Sequence, residues 1–169
     1  MANYKGHIAG GLATGVVYVV GLGFLPGELL VQTGGLLSNW QMVAGLLVLS
    51  MLFGLWPDID TNSKGQDVFF GAAFLLDVLL IAYGYLEAAA YFGLICMFPI
   101  IGKHRGWTHS RIAMILVPLP IVIVPYLNKT TILATYLIFY GAAVAGYFSH
   151  LLLDGRIVPW IRIKGGGYT

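Results

Sequence analysis

The chain has 169 residues, and its 9 basic and 7 acidic side chains make only 9% of it charged, against roughly 25% in an ordinary soluble domain. With apolar residues at 59% and a mean hydropathy of +0.85, a water-facing surface would carry larger apolar patches than soluble monomers tolerate, which excludes a soluble globular domain. The net charge of +2 gives no footing for a nucleic-acid partner, and the length leaves room for one integral membrane domain, residues 1–169.

Six apolar runs follow one another, at residues 8–25, 40–56, 68–86, 88–101, 112–127 and 131–153. Since a hydrocarbon core about 30 Å thick needs about 20 helical residues, they predict an all-α bundle of about six transmembrane helices. The first run has one lysine before it and no small-residue cleavage site after it, so it reads as a retained span. Gly6-x-x-x-Gly10 and Gly11-x-x-x-Gly15 give it small faces for close helix packing, with a homodimer face as the alternative. The stretch from Asp67 to Ile101 is too long for one crossing, and Gly84 and Glu87 mark a tight hairpin within it. The fifth run holds Pro118, Pro120 and Pro125, which predict a kink tolerated through neighbouring helices. Asp77 falls mid-span and reads as a buried hydrogen-bond partner between helices, with an ion or proton path as the alternative. Cys96 is the sole cysteine, so no disulfide or thiolate cluster forms within one chain.

Counting crossings from His7 brings Trp56-Pro57-Asp58-Ile59-Asp60, Lys103 to Ser110, and Ser149 to Asp154 back to the face where His7 lies. All four histidines then share one border of the bilayer with Asp58, Asp60, Asp67 and Asp154, and an odd miscount would scatter them. Eight of the nine basic residues fall on that face and only Lys129 opposite. The positive-inside rule makes it cytoplasmic, with both termini inside an inner membrane. Trp56, Trp107 and Trp160 are expected at the inner interface and Trp40 at the outer.

Ionisable groups gathered at a membrane face default to a functional reading. Imidazole with carboxylate is a ligand set for Zn²⁺, and also suits Mn²⁺ or Fe²⁺. His150 and Asp154 are four apart and share a helix face, able to reach one ion or two adjacent ions. Asp58 and Asp60 follow Pro57 at a helix end, where they can bind one metal, bridge two, or divide into ligand and base. His104 and His109 flank a turn that Gly106 permits.

The chain resembles the YdjM family of membrane-bound metal-dependent hydrolases. The likeness rests on His7, P-D-I-D from Pro57 to Asp60, H-R-G-x-T-H-S from His104 to Ser110, and S-H-L-L-L-D from Ser149 to Asp154. It implies a multi-span, metal-dependent hydrolase. One departure is the run Gly155 to Trp160, where relatives often place a threonine and a glycine after the last motif. The expected ligands are His7, Asp58, His109, His150 and Asp154, with Asp60 and His104 as further ligands or the acid/base pair. Arg105 is expected to fork onto a phosphate. Membrane lipids are the expected surroundings and a phospholipid or isoprenoid phosphate the expected substrate. The rival readings are a divalent-cation transporter, disfavoured because the far face offers only Glu28, Glu87 and Lys129, and a scaffold with a structural metal. Under any of these readings a homo-oligomer is open.

Overall fold

The structure, a computed structural model, describes residues 3–26, 35–59, 64–101, 107–129 and 133–157, with the backbone alone at 98–101 and 133. Among the described residues it is helical throughout. The helices are α1 Tyr4–Leu22, α2 Trp40–Leu55, α3 Lys64–Ala82, α4 Leu86–Ile101, α5 Arg111–Leu116, α6 Pro120–Leu127 and α7 Leu133–Leu153. Each predicted apolar run is therefore a helix, and the fifth is two. Pro120 begins α6 after a short turn, because prolines at 118 and 120 remove two amide donors from the ladder that α5 would need to continue.

Among the described residues three segments are long and apolar enough to cross a membrane: Trp40–Asp58, Lys64–Ala82 and Ala134–Leu153. Leu86–Met97 and Arg111–Leu127 are shorter apolar helices. Helix α1 has 19 residues, but Lys5, His7 and its glycines dilute its hydropathy.

Helix α2 sits in the middle. It is apolar on all sides, the pattern of an enclosed helix, and buries Leu46, Leu49, Leu52, Phe53 and Leu55. Helices α1 and α7 close on it through small residues. A Cβ on Gly11 would lie 3.0 Å from the Met51 Cα, and one on Gly146 would lie 1.9 Å from the Ser50 carbonyl oxygen. Ser50 Oγ uses this proximity to donate to the Gly11 carbonyl at 2.8 Å. The glycine faces of α1 thus serve packing within the chain, as one of the two sequence readings has it.

Helix α3 buries only Gly65, Phe69 and Ala73, a single stripe four residues apart, and turns Phe74 and Leu75 outward. Val17, Phe74, Ile112 and Leu137 are at least half exposed around the outside, an apolar coat suited to lipid. The expected hairpin is present. Gly84, at φ 82°, takes the left-handed conformation while Tyr85 N–H donates to the Leu80 carbonyl and Gly84 N–H to that of Ile81, a Schellman end to α3. Asn128 at the end of α6 donates to Glu87 at the start of α4, so these two polar groups meet at one end of the bundle.

Two expectations are corrected. Trp56 is a core residue, not an interfacial one: it is buried, donates from Nε1 to the Ile95 carbonyl at 3.2 Å, and packs edge-on against Trp107. Asp77 Oδ1 is buried with no hydrogen-bond partner among the described residues, so the expected hydrogen bond between helices is not made by that oxygen. Trp40 is exposed, in keeping with an interfacial place.

Candidate metal centre

Four helix ends converge at the end of the bundle opposite Glu87 and Asn128. Helix α1 starts early because Asn3 accepts from Gly6 N–H as its N-cap, which puts His7 in the second turn, buried against α2 and α7. Helix α2 gives way to a 3-10 turn, Trp56–Asp58, with Pro57 fixing the bend that delivers Asp58. Ser110 caps α5 by accepting from Ala113 N–H at 3.0 Å, which sets His109 just outside that helix. His150 lies in the last turn of α7 and Asp154 directly after it.

Helix α7 stops at a defined place. Gly155 has φ 68°, Arg156 N–H donates to the Leu151 carbonyl at 2.8 Å, and Gly155 N–H donates to that of Leu152 at 3.0 Å. This Schellman ending makes Asp154 the C-cap and holds it one turn above His150. The departure noted in the sequence, glycine directly after this aspartate, therefore has a structural role.

The five side chains meet. His109 Nε2 lies 3.2 Å from Asp58 Oδ1 and 3.6 Å from Asp154 Oδ2, while His150 Nε2 lies 3.6 and 3.5 Å from the same two oxygens. The two Nε2 atoms are 3.2 Å apart. His7 Nε2 faces the other oxygens, at 3.7 Å from Asp58 Oδ2 and 3.6 Å from Asp154 Oδ1. Asp58, His109, His150 and Asp154 each offer one donor atom to a group within 4.8 Å.

These separations are long for hydrogen bonds between ionised partners, which fall near 2.7–2.9 Å. They suit a different relationship. Donors about 2.0–2.1 Å from one tetrahedral ion are about 3.4 Å from each other, close to the 3.2–3.6 Å found among His109, His150, Asp58 and Asp154.

Proton counting points the same way. His150 Nδ1 lies 2.9 Å from the Gly54 carbonyl oxygen, which can only accept, so Nδ1 carries the proton and Nε2 of the neutral ring has a lone pair. His109 Nε2 then has two acceptors in reach, Asp58 Oδ1 and His150 Nε2, and at most one proton for them. Both oxygens of Asp154 and both ring nitrogens of His7 are buried without a hydrogen-bond partner among the described residues. Buried polar atoms are rarely left so, and a cation held among them would satisfy lone pairs that protons cannot.

The surroundings tune the charges. Burial, with the neighbouring His150 adding to it, lowers the His7 pKa to about 4, so its imidazole is neutral and ligand-competent at neutral pH. For Asp154, burial pushes the pKa up, but the close approach of the His150 ring, with the His7 and His109 imidazoles beside it, outweighs burial and holds the carboxyl below its ordinary value. A neutral His7 imidazole facing an ionised Asp154 carboxylate is the protonation state that metal binding requires of these two groups.

Of the residues singled out in the sequence, His7, Asp58, His109, His150 and Asp154 are brought together here. Asp60, His104 and Arg105 lie outside the described residues. Three further groups position the ligands. Besides Gly54, Thr108 Oγ1 lies 3.1 Å from His109 Nδ1, and the hydroxyl of Tyr147 donates to the Thr108 carbonyl. Thr108 stands inside the H-R-G-x-T-H-S motif, which was the available signal for it; Gly54 and Tyr147 act through a carbonyl and a cross-helix contact that spacing does not reveal.

The chain matches no curated protein and no solved structure. A family model, YdjM inner membrane protein, matches residues 1–157, and the chain belongs to that family.

Proposed function

We propose that this member of the YdjM inner membrane protein family is a metal-dependent hydrolase that cleaves a phosphoester of a lipid or isoprenoid phosphate at the cytoplasmic face of the membrane. The observation that carries this reading is the convergence of His7, His109 and His150 on Asp58 and the buried, hydrogen-bond-free oxygens of Asp154. A divalent cation held there, with Zn²⁺ first by donor type and Mn²⁺ or Fe²⁺ next, would acidify a water and polarise the bond under attack.

The chain's own residues supply the rest. Gly54 fixes the ring of His150 through Nδ1, and Thr108 steadies the ring of His109. Asp58 keeps 29% of its side chain exposed while Asp154 keeps 1%, so Asp58 is the carboxylate that meets incoming substrate and Asp154 the anchor. On the sequence pattern, Asp60 and His104 are assigned as further ligands or the acid/base pair, and Arg105 as the group that grips the phosphate.

The orientation is part of the proposal. Six crossings with both termini in the cytoplasm accord with Lys5 next to His7, Arg111 next to His109 and Arg156 next to Asp154, while Lys129 adjoins Asn128 at the other end. At such a border the cluster would lie level with lipid phosphates of the inner leaflet.

The test is turnover by the purified protein in micelles containing phospholipid or polyprenyl phosphate, with Zn²⁺, Mn²⁺ or Fe²⁺ supplied or removed by chelator. Metal-dependent phosphoester cleavage, lost in Asp58→Ala with helicity and elution volume unchanged, supports the reading. Absence of cleavage under every metal and both lipid classes, or uptake of the ion into vesicles without cleavage, overturns it.

A further inference from the structure

The rings of His7 and His150 are stacked, with centroids 3.9 Å apart and planes 19° from parallel. An imidazole lone pair lies in the plane of its ring, so an ion bound by two imidazoles must lie close to both planes. These two planes meet only about 10 Å or more away, several times the roughly 2 Å length of a Zn–N bond. His7 and His150 therefore cannot share an ion without one ring turning out of the stack. His109 and His150, inclined at 63° with their Nε2 atoms 3.2 Å apart, can share one.

The aspartates divide in the same way. Asp58 presents Oδ1 to His109 and His150 but Oδ2 to His7, and Asp154 presents Oδ2 to His109 and His150 but Oδ1 to His7. Each carboxylate thus spans two groups of nitrogen donors.

From this we propose that the cluster is a dinuclear centre: one divalent cation held by His109, His150, Asp58 Oδ1 and Asp154 Oδ2, a second by His7, Asp58 Oδ2 and Asp154 Oδ1, with both carboxylates bridging. The proposal rests on reading the cluster as a metal centre and adds the number of ions, their division among the ligands and the asymmetry between them. Four protein donors complete a tetrahedron at the first position, whereas three at the second leave room for a water or a phosphate oxygen. The stacking distance sets the separation of the two positions near the 3.5–4 Å of centres that clamp a phosphoryl group between two cations. His7 is fully buried with both nitrogens free of hydrogen bonds, so it has no competing structural partner among the described residues.

The experiment is metal counting by plasma mass spectrometry on the purified full-length protein loaded with Mn²⁺, together with its electron paramagnetic resonance spectrum. Two ions per chain with an exchange-coupled spectrum are expected in the wild type, and one ion per chain with an isolated six-line spectrum in His7→Ala. His7→Gln serves if the alanine variant fails to fold, and the wild-type count stands without either. A single uncoupled ion in the wild type, or two ions retained in the His7 variant, overturns the dinuclear assignment while leaving a metal centre in place. No bound ion at all overturns the metal reading on which it rests.

Discussion

His150 gives its Nδ1 proton to the Gly54 carbonyl at 2.9 Å, and this bond decides which nitrogen faces the aspartates. The carbonyl is available for a local reason. It lies in the last turn of α2, where carbonyls run out of intrahelical partners, and the 3-10 turn through Pro57 does not supply one. A helix end thus becomes the support of a ligand. His150→Ala removes both the supported ring and a donor shared with His109. It should lower bound Zn²⁺ or Mn²⁺ at least tenfold, measured by metal analysis after dialysis, with helicity by circular dichroism unchanged.

Asp154 is expected to couple metal to stability. A ligand that binds the folded state at a hundred times its dissociation constant stabilises it by about 2.7 kcal/mol. The unfolding temperature of the wild type in detergent should therefore rise with Zn²⁺ or Mn²⁺ and fall with chelator. In Asp154→Asn the two should coincide. A metal response of wild-type size in that variant would show that the carboxylate is not a ligand.

Acid should destabilise the metal-free protein. His7 titrates near 4 in the folded chain against 6.5 as its ordinary value, so between these pH values the unfolded chain binds more protons. The stability His7 contributes is fully present above about 6.5 and is lost as pH falls toward 4. The lowered Asp154 acts in the same direction through the carboxylate range. Thermal unfolding followed from pH 7 to 4 in chelator should show a fall, and His7→Gln should flatten its upper part.

Glycine contacts offer a packing test with an internal control. A Cβ at Gly146 would collide with the Ser50 carbonyl, while one at Gly71 would meet nothing within 4 Å. Gly146→Ala should cost about 1–3 kcal/mol or more by forcing α7 from α2. Gly71→Ala should be neutral or gain up to about 1 kcal/mol from helix propensity. Equal unfolding temperatures for the two variants would contradict the described α2 to α7 contact.

Much of the site was legible because long apolar runs locate helices and alternation of direction locates their ends. Counting the apolar runs was enough to bring His7, Asp58, His109, His150 and Asp154 together, although 147 positions separate the first from the last. What the sequence withheld are properties of contact. The inclination of two rings depends on how closely α1 and α7 approach, which is set across α2 by Gly11, Ser50 and Gly146. The burial of Trp56 follows from α3 and α4 covering the end of α2, and a residue's position near a span end carries no trace of that. The break between α5 and α6 was foreseen as a kink, but whether prolines bend or interrupt a helix depends on the neighbours that take up the freed carbonyls.

The unequal exposure of the two aspartates bears on traffic. With His7, His150 and Asp154 sealed among helices, an ion arriving from solvent meets the cluster at Asp58 and His109, whose side chains are 29% and 11% open. Among the described residues, then, loading and release share this doorway, and its threshold is a carboxylate hung on a proline turn. Stiffening or loosening that turn would change how long a cation stays without altering any atom that holds it.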